Sequence, residues 1–499
     1  MPNSQSFPSL RRKAVALLLP ALLAAAAPAL APAQPVGLPD LGDSASQELS
    51  PRLEQRLGDA IMMESLRDPA YIDDPDLLQY LTGMARQLSA HAPVGTPNIN
   101  VFAVRDPSIN AFAMPGGYIG VHTGLVVAAQ SESELAGVLA HEIGHVVQRH
   151  IARGLVQQKQ DTLIMVAALL AALVAARGNS QAPEAAMAFG QAAAINSQLG
   201  FSREAEREAD RTGFQMLEAA DYNVNGMASF FGRLMQASGL NERTGQAFTR
   251  THPLSIERMS DMQNRARGVV IHDRPSSSDF HFVRAKMRML QANSGQDTLE
   301  AIRYFENRTA ESQGIERSAA YYGMALGYVR QREYGKANDA YLAATSGART
   351  HFMLEHLAID LALARNDTQQ AMSLARSAVA RWPEQRGLAM AMAESLQRAG
   401  RNQEAVDFLK EQMLKWSDEP RFYQMAAVSY SRLGSAVNER RNMADYYAMT
   451  GALPAAVEQL QQARAASRDF YEQSQIDAKV REYQRRLKEE RDLLKRFQS

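Results

Sequence analysis

The stretch Leu139-Ala140-His141-Glu142-Ile143-Gly144-His145 decides the chemistry predicted for this 499-residue chain. Its two histidines are four residues apart, so on a helix both imidazoles lie on one face and can reach a single ion. Neutral imidazole suits zinc, and the neighbouring carboxylate can take a proton from an attacking water. This H-E-x-x-H pattern is typical of a zinc-dependent peptidase, with His141 and His145 as metal ligands and Glu142 as general base and later proton donor.

The residues around the motif predict that it lies well inside a helix. A capping box, Ser131-Glu132-Ser133-Glu134, opens the segment. The apolar residues that follow keep helical spacing; they are Leu135, Val138, Leu139, Ile143, Val146 and Val147. The alternative is a helix whose two histidines only lie on its surface. The flanking apolar stripe disfavours it, because a buried imidazole must find a partner.

Two histidines leave a catalytic zinc site one protein ligand short, so a third ligand is expected downstream. A second predicted helix offers two pairs of acidic residues at a spacing of four. Glu206 and Asp210 share a face on which Gly213 allows close packing, and Glu204 and Glu208 form a competing pair. Periodicity does not choose between the pairs, and a solvated charged face is the ordinary alternative.

A small β-sheet is predicted before the motif. Residues 98–104 alternate polar and apolar side chains, and a second such region at 110–114 resumes at 118–121 after Pro115-Gly116-Gly117. The glycines suggest a hairpin or a close approach of another backbone. Because proteases commonly hold substrate as an added strand, the candidate substrate-binding edge is Asn110, Ala111, Phe112, Ala113 and Met114. A packed strand with no substrate role is the alternative.

Composition limits the possible partners and ligands. Lysine plus arginine equals aspartate plus glutamate, at 54 each, so no strongly basic surface predicts nucleic-acid binding. The chain has no cysteine, which excludes disulfides, thiolate metal ligands, cysteine nucleophiles and a lipid-modified N-terminal cysteine. Any zinc must therefore be bound by nitrogen and oxygen.

The first 33 residues are predicted to be a secretory signal peptide. Arg11-Arg12-Lys13 forms the basic region, 14–27 the apolar region, and Ala31-Pro32-Ala33 the cleavage site, with cleavage after Ala33. An uncleaved anchor is the alternative. A Pro-, Gly- and Ser-rich linker follows, and 53–90 has helical spacing with two breaks at Asp-Pro sequences.

The segment between the two metal motifs is unusually apolar. Residues 163–176 form an uncharged run that is long enough for a buried helix but short of the ~20 residues of a membrane span. Residues 177–200 have a composition suited to a flap over the cleft. Peripheral membrane contact through this loop is the alternative hypothesis.

The C-terminal half is predicted to be a helical repeat array. Residues 333–337, 367–371 and 401–405 align at two successive intervals of 34, and 400–405 aligns again with 451–456. A period of 34 is the tetratricopeptide signature, in which helix pairs stack into a curved array. The register between 414 and 451 is open. An amphipathic last helix would cap the array or bind a partner, with its apolar face at Ile476, Val480, Tyr483, Leu487, Leu494 and Phe497.

The two metal motifs together resemble a known family. His141-Glu142-Ile143-Gly144-His145 followed by Glu206-Arg207-Glu208-Ala209-Asp210 is similar to the zincin family of the CAAX-prenyl proteases and the HtpX heat-shock protease, whose second motif is E-x-x-x-D. The resemblance implies that Glu206 is the third ligand to one Zn²⁺ per chain. It also implies that Asp210 orients the site.

Two further segments extend the resemblance. Residues 110–117 are similar to the family's segment before the catalytic helix, and Thr251-His252-Pro253 with Arg258 is similar to its late histidine and arginine motif. In exported members with a helical-repeat tail this histidine is a removable fourth ligand that holds the enzyme latent. The resemblance implies that role for His252 and an oxyanion-stabilising role for Arg258. A histidine before a proline is otherwise an ordinary loop or helix-start residue.

The expected fold is α+β and mostly α, a zincin-type protease domain with a small sheet followed by a tetratricopeptide-like α-solenoid. The expected organisation is a signal peptide at 1–33, a linker at 34–52, a zinc metalloprotease domain at 53–270, a linker at 271–279 and a repeat domain at 280–499.

By resemblance, the function is that of a periplasmic zinc endopeptidase with a chaperone-like role. Its partners would be misfolded or stalled outer-membrane proteins and their assembly machinery, with the repeats selecting the substrate. One alternative is a binding scaffold or chaperone whose protease site is latent or idle. A membrane-embedded prenyl-protein protease is disfavoured, because no segment after the signal reaches spanning length.

Overall fold

The computed structural model describes residues 50–93, 95, 97–157, 201–239, 246–347 and 350–498. The predicted signal peptide, nearly all of the first linker, the apolar run 163–176 and the segment 177–200 lie outside the described residues, so they stay predictions. Within the part of the chain that is described, no helix has both the length and the apolar character to cross a bilayer.

The N-terminal part combines nine helices with four strands in the described ranges. In chain order they are α1 (Pro51–Ser65), β1 (Tyr71–Ile72), α2 (Pro75–Ser89), β2 (Asn100–Val104), β3 (Ala111–Met114), β4 (Tyr118–His122), α3 (Thr123–Ala128), α4 (Glu132–Val147), α5 (His150–Gln157), α6 (Arg203–Ala219), α7 (Asn225–Gly239), α8 (Gln246–Thr251) and α9 (Ile256–Ala266). The helical spacing predicted for 53–90 is confirmed as α1 and α2. The two-residue strand β1 was not predicted, because it is too short to show alternation.

The strands form one sheet in the order β1-β2-β4-β3, so β3 lies at an edge. β2 is parallel to β4, and β3 runs antiparallel to β4 in a hairpin. The turn between them uses Gly116 and Gly117 at φ of 76° and 79°, a region that favours glycine. A Cβ on Gly117 would lie 2.2 Å from the Asn98 carbonyl oxygen. Both the predicted hairpin and the predicted close approach are therefore present.

The helix α4 that carries the metal motif is buried between the sheet and helices α6 and α7. The serine half of the predicted capping box forms, with the Glu134 N–H donating to the Ser131 hydroxyl at 3.3 Å. The reciprocal half does not form, because the Glu134 carboxylate accepts from the Gln130 N–H at 2.7 Å. Small residues let α6 approach closely: a Cβ on Gly144 would lie 2.7 Å from the Ala209 carbonyl oxygen. The backbones of the two motif-bearing helices are therefore in direct contact.

The C-terminal part is a continuous array of antiparallel-stacked helices. They are α10 (Ser278–Gln291), α11 (Gly295–Glu311), α12 (Gly314–Arg330), α13 (Tyr334–Gly347), α14 (Phe352–Ala364), α15 (Thr368–Arg381), α16 (Arg386–Arg398), α17 (Asn402–Lys415), α18 (Pro420–Arg432), α19 (Ala436–Met449), α20 (Leu453–Ala466) and α21 (Phe470–Gln498). Each helix packs on its neighbours in sequence, as in tetratricopeptide pairs. The predicted fold class is confirmed.

The 34-residue period sets the starts of alternate helices. α13, α15, α17 and α19 begin at Tyr334, Thr368, Asn402 and Ala436, so the register left open between 414 and 451 continues through α19. The shared alanines Ala337, Ala371 and Ala405 are fully buried, which is what close helix pairing requires. Beyond them the last helix α21 packs its Ile476 side against α20, as predicted for a cap.

The array is held against the N-terminal part by a buried charge cluster at the start of α2. Lys286 of α10 pairs with Asp74 at 2.7 Å and with Asp76 at 2.9 Å, and His356 of α14 bonds Asp76 at 2.8 Å. A Cβ on Gly387 of α16 would lie 2.1 Å from an oxygen of Asp76. The buried Asp76 carboxylate therefore contacts three helices of the array and joins them to α2.

This cluster predicts a pH-dependent stability. Burial lowers the pKa of His356, but Asp76 and Asp360 outweigh burial and raise it to about 9. Because the folded-state pKa lies above the ordinary value, the charged His356 stabilises fully below pH ~6.5 and loses its effect as the pH rises through 9. We expect His356→Gln to lower the free energy of unfolding by roughly 1.5–3 kcal/mol at pH 6, and by less at pH 10.

Urea denaturation of both chains at the two pH values measures this difference. The matched control is His272→Gln, which removes an imidazole from an exposed pair with Asp221 and should change stability little at either pH. An equal loss for His356→Gln at pH 6 and pH 10 would contradict the electrostatic account.

Candidate metal centre

Four side chains from three parts of the chain converge near the C-terminal end of α4. His141 and His145 come from α4, Glu206 from α6, and His252 from the turn after α8, and one donor atom of each lies within 4.8 Å of the others. All four residues are fully buried. These are the four residues predicted from the sequence to be ligands, and the structure brings them together.

The spacing between the donor atoms fits a single ion. His141 Nε2 lies 3.1 Å from His145 Nε2 and 3.3 Å from His252 Nδ1. Glu206 Oε1 lies 3.1 Å from His252 Nδ1 and 3.5 Å from His145 Nε2. Donors on a tetrahedron with bonds of 2.0–2.1 Å are about 3.3–3.4 Å apart. Three nitrogens and one oxygen at these separations suit zinc.

The electrostatics of the pocket favour a cation. Burial raises the pKa of Glu206, but His252 and His141 outweigh it and hold the pKa well below its usual range. Burial, reinforced by His141, lowers the pKa of His145 well below its usual range, so that imidazole is neutral and offers a lone pair. An anionic carboxylate beside a neutral imidazole is the protonation state that a metal requires.

Glu142 is fully buried next to the donor cluster. One of its oxygens lies 3.4 Å from His252 Nε2. Burial raises the pKa of Glu142, while His252 and His141 act in the opposite direction. A raised pKa suits a carboxyl group that must both accept and return a proton near neutral pH.

Asp210 and Arg258 lie behind the candidate ligands. An oxygen of Asp210 is 2.9 Å from His141 Nδ1. Arg258 donates through Nε and Nη2 to both Asp210 oxygens, at 2.7 and 2.8 Å, and its Nη1 lies 2.6 Å from Glu206 and donates to the Pro253 carbonyl. The guanidinium thus joins a candidate ligand to the carboxylate that contacts His141.

The candidate substrate strand lies beside this centre. β3 is one of the two edge strands of the sheet, packs on α4, and brings the Ala113 backbone against the Glu142 carboxyl group. Its residues are buried, and Asn110 accepts a hydrogen bond from the His122 N–H at 3.0 Å. The structure therefore places 110–114 next to the predicted general base.

Sequence reasoning missed two residues that contact His145. His150 Nδ1 lies 2.9 Å from His145 Nδ1, and the Phe201 ring stacks on the His145 ring with centroids 3.9 Å apart. His150 follows His145 by five residues and is out of phase with the motif's helix face. The chain brings it back because Arg149 adopts a left-handed φ of 52° between α4 and α5. Helical spacing carries no signal for such a turn.

Comparison with known proteins supports a metalloprotease. A protein-family model described as "Peptidase family M48" matches residues 73–266 of this chain. A beta-barrel assembly-enhancing protease of Escherichia coli (strain K12) is 30% identical, over 97% of this chain and 99% of its own length. This chain belongs to the beta-barrel assembly-enhancing protease family.

Two other relatives support the same family assignment. A beta-barrel assembly-enhancing protease of Yersinia pestis is 29% identical over 91% of this chain and 93% of its own length. A protein of Vibrio cholerae serotype O1 with the name "Putative beta-barrel assembly-enhancing protease" is 36% identical over 64% of this chain and 66% of its own length. As a member of the beta-barrel assembly-enhancing protease family, the chain is a metallopeptidase, so the enzyme class predicted from His141-Glu142-Ile143-Gly144-His145 is confirmed.

Proposed function

We propose that this chain is a periplasmic zinc endopeptidase that cleaves or assists misfolded and stalled outer-membrane proteins. The observation that carries the catalytic part is the convergence of His141, His145, Glu206 and His252 beside the buried Glu142. The relatives' name, beta-barrel assembly-enhancing protease, supports the substrate class. Export rests on the signal peptide predicted at 1–33.

Metal binding, proton transfer and substrate alignment in peptide hydrolysis are proposed for different residues of the chain. His141, His145 and Glu206 would hold one zinc ion, which when bound supplies Lewis-acid activation of a water and of the scissile carbonyl. Glu142 takes the proton of the attacking water and returns it to the leaving amine. The edge strand β3 would align the substrate as an added strand next to Glu142.

Asp210 and Arg258 are proposed as positioning residues. Asp210 fixes the ring of His141, and Arg258 fixes Asp210 and Glu206 together. The oxyanion role predicted for Arg258 gives way to this one in our proposal, because its Nε, Nη1 and Nη2 groups all contact Asp210, Glu206 or the Pro253 carbonyl.

His252 is proposed to hold the enzyme latent. Its Nδ1 would complete a set of four protein donors, which is the closed arrangement of structural zinc sites, whereas catalytic sites keep one position open. Its Nε2 faces Glu142 at the same time. Withdrawal of one imidazole would therefore free both a coordination position and the general base.

The helical array is proposed to select the substrate. α13, α14 and α15 enclose a groove of about 490 Å³ whose wall includes Tyr341, Leu354 and Leu374. A mixed apolar and polar groove between repeat helices suits an extended protein segment. The alternative, a scaffold with an idle protease site, is favoured only by the closed position of His252.

Replacing the general base separates the two functions. We expect Glu142→Gln to abolish cleavage of an unfolded outer-membrane protein, with kcat reduced at least about 100-fold, because the amide cannot accept the proton. Bound zinc, measured by elemental analysis, should stay near one per chain. Residual cleavage at the wild-type rate would contradict the role of Glu142, and full biological complementation by this variant would support the scaffold.

Removing the fourth donor tests latency. We expect His252→Ala to raise the rate of cleavage about tenfold or more, because the closed arrangement is no longer populated. The rate is measured with the full chain on an unfolded outer-membrane protein, and His252→Ala combined with Glu142→Gln should be inactive. A His252→Ala chain that keeps its zinc but cleaves no faster than wild type contradicts latency.

A charge in the groove tests substrate selection. We expect Leu374→Glu to raise KM for an unfolded outer-membrane protein about tenfold, because a carboxylate disrupts apolar contacts there. Cleavage of a short peptide that does not reach the array should be unchanged. The matched control is Leu414→Glu on α17, where the side chain is already exposed. Equal KM values for both variants would count against a role of this groove.

A further inference from the structure

Glu208, which the sequence analysis placed in a competing pair, contacts the metal centre through an intermediate residue. Its Oε2 lies 2.9 Å from His150 Nε2 and accepts from Arg153 Nη1 at 2.8 Å. The other ring nitrogen of His150, Nδ1, lies 2.9 Å from His145 Nδ1. His150 is 3% exposed, so its ring is held by these contacts away from solvent.

The orientation of the His145 ring determines where the hydrogens lie along the series His145, His150 and Glu208. His145 turns its Nε2 toward His141 and Glu206, so a ligand lone pair is needed there and the proton belongs on Nδ1. That N–H can donate only if His150 Nδ1 accepts. The proton of His150 then sits on Nε2 and is donated to the Glu208 carboxylate. Each contact has one donor and one acceptor.

We propose that His150 and Glu208 are positioning residues that fix the tautomer and ring orientation of His145. This inference rests on the proposed metal-dependent function. His141 has the corresponding partner directly, since its Nδ1 lies 2.9 Å from Asp210. Metal-bound histidines generally give their second N–H to such a partner, and loss of the partner weakens metal binding.

Every carboxylate between residues 206 and 210 contacts the metal centre or a residue that supports it. Glu206, Glu208 and Asp210 lie on successive alternate positions of α6, and each contacts a different part of the same centre. Glu206 contacts the ligand histidines, Asp210 contacts His141, and Glu208 reaches His145 through His150. The histidine is needed as a spacer because Glu208 faces a different side of α6 from the other two.

Zinc affinity of the full chain tests the proposal. His150→Leu removes the acceptor of the His145 N–H, whereas the amide oxygen of His150→Asn can take the place of Nδ1. We expect His150→Leu to weaken zinc binding 10- to 100-fold, measured by competition with a chromophoric chelator. The visible spectrum of the cobalt-substituted chain should also shift. His150→Asn should restore most of the affinity.

The zinc affinities of four variants relative to wild type decide the outcome. Zinc binding by His150→Leu at wild-type affinity, or equal weakening by His150→Leu and His150→Asn, would overturn the proposal. If His150→Leu does not fold, Glu208→Ala replaces it, because Glu208 is partly exposed, and it should lower affinity about tenfold; unchanged affinity would again overturn the proposal. The matched control is His351→Leu, which removes a buried histidine paired with Asp279 in the array and should leave zinc affinity unchanged.

The same data separate this proposal from the proposed function. His150→Leu is expected to weaken zinc binding, and His150→Asn to restore most of it. If this is observed but neither the wild-type chain nor His252→Ala cleaves any protein, the endopeptidase function is overturned and the positioning role of His150 is supported.

Discussion

The close approach of α4 and α6 is the constraint on which the rest of the structure depends. A glutamate side chain reaches only a few ångströms, so Glu206 can join the two motif histidines only if the helix backbones touch. Gly144 and Ala209 provide that contact from one end, and Gly213 lies against Ala140 further along. A Cβ at Gly144 would collide with the Ala209 backbone, and one at Gly213 would crowd the Ala140 backbone at 3.0 Å, so larger side chains at these positions would push the two helices apart. The glycine of the metal motif is therefore needed for the close approach of the two helices that carry the candidate ligands.

The contact between α4 and α6 buries several charged groups. The free-energy cost of removing them from water must be offset by interactions among these groups. Glu206 and Asp210 are almost completely removed from solvent, and the isolated burial of either would cost several kcal/mol. Arg258, itself 4% exposed, bonds both carboxylates and cancels one of the two negative charges. In the metal site that the family implies, a bound cation would compensate the remaining negative charge. The arginine thus leaves one of these two negative charges beside three imidazoles, a donor set that suits a divalent ion.

Sequence alone predicted the parts of this architecture that depend on local periodicity. The capped helix around His141, the hairpin at Gly116 and the 34-residue helix spacing each follow from a repeat or turn signal, and each is present. The resemblance, rather than periodicity, chose Glu206 over Glu208. What could not be predicted depends on tertiary turns: His150 returns to the site through one left-handed residue, and β1 exists only through pairing with β2.

The same catalytic helix also links the metal centre to the array. Glu132, in the first turn of α4, accepts from the Tyr80 hydroxyl of α2 at 2.9 Å and from the Ser277 N–H and hydroxyl at 2.9 and 2.7 Å. Ser277 is the N-cap of α10, the first array helix. One carboxylate thus ties the beginning of α4, the helix α2 and the beginning of the array together. Because α4 is continuous from Glu132 to His145, one helix connects the base of the array directly to the two histidines of the metal motif.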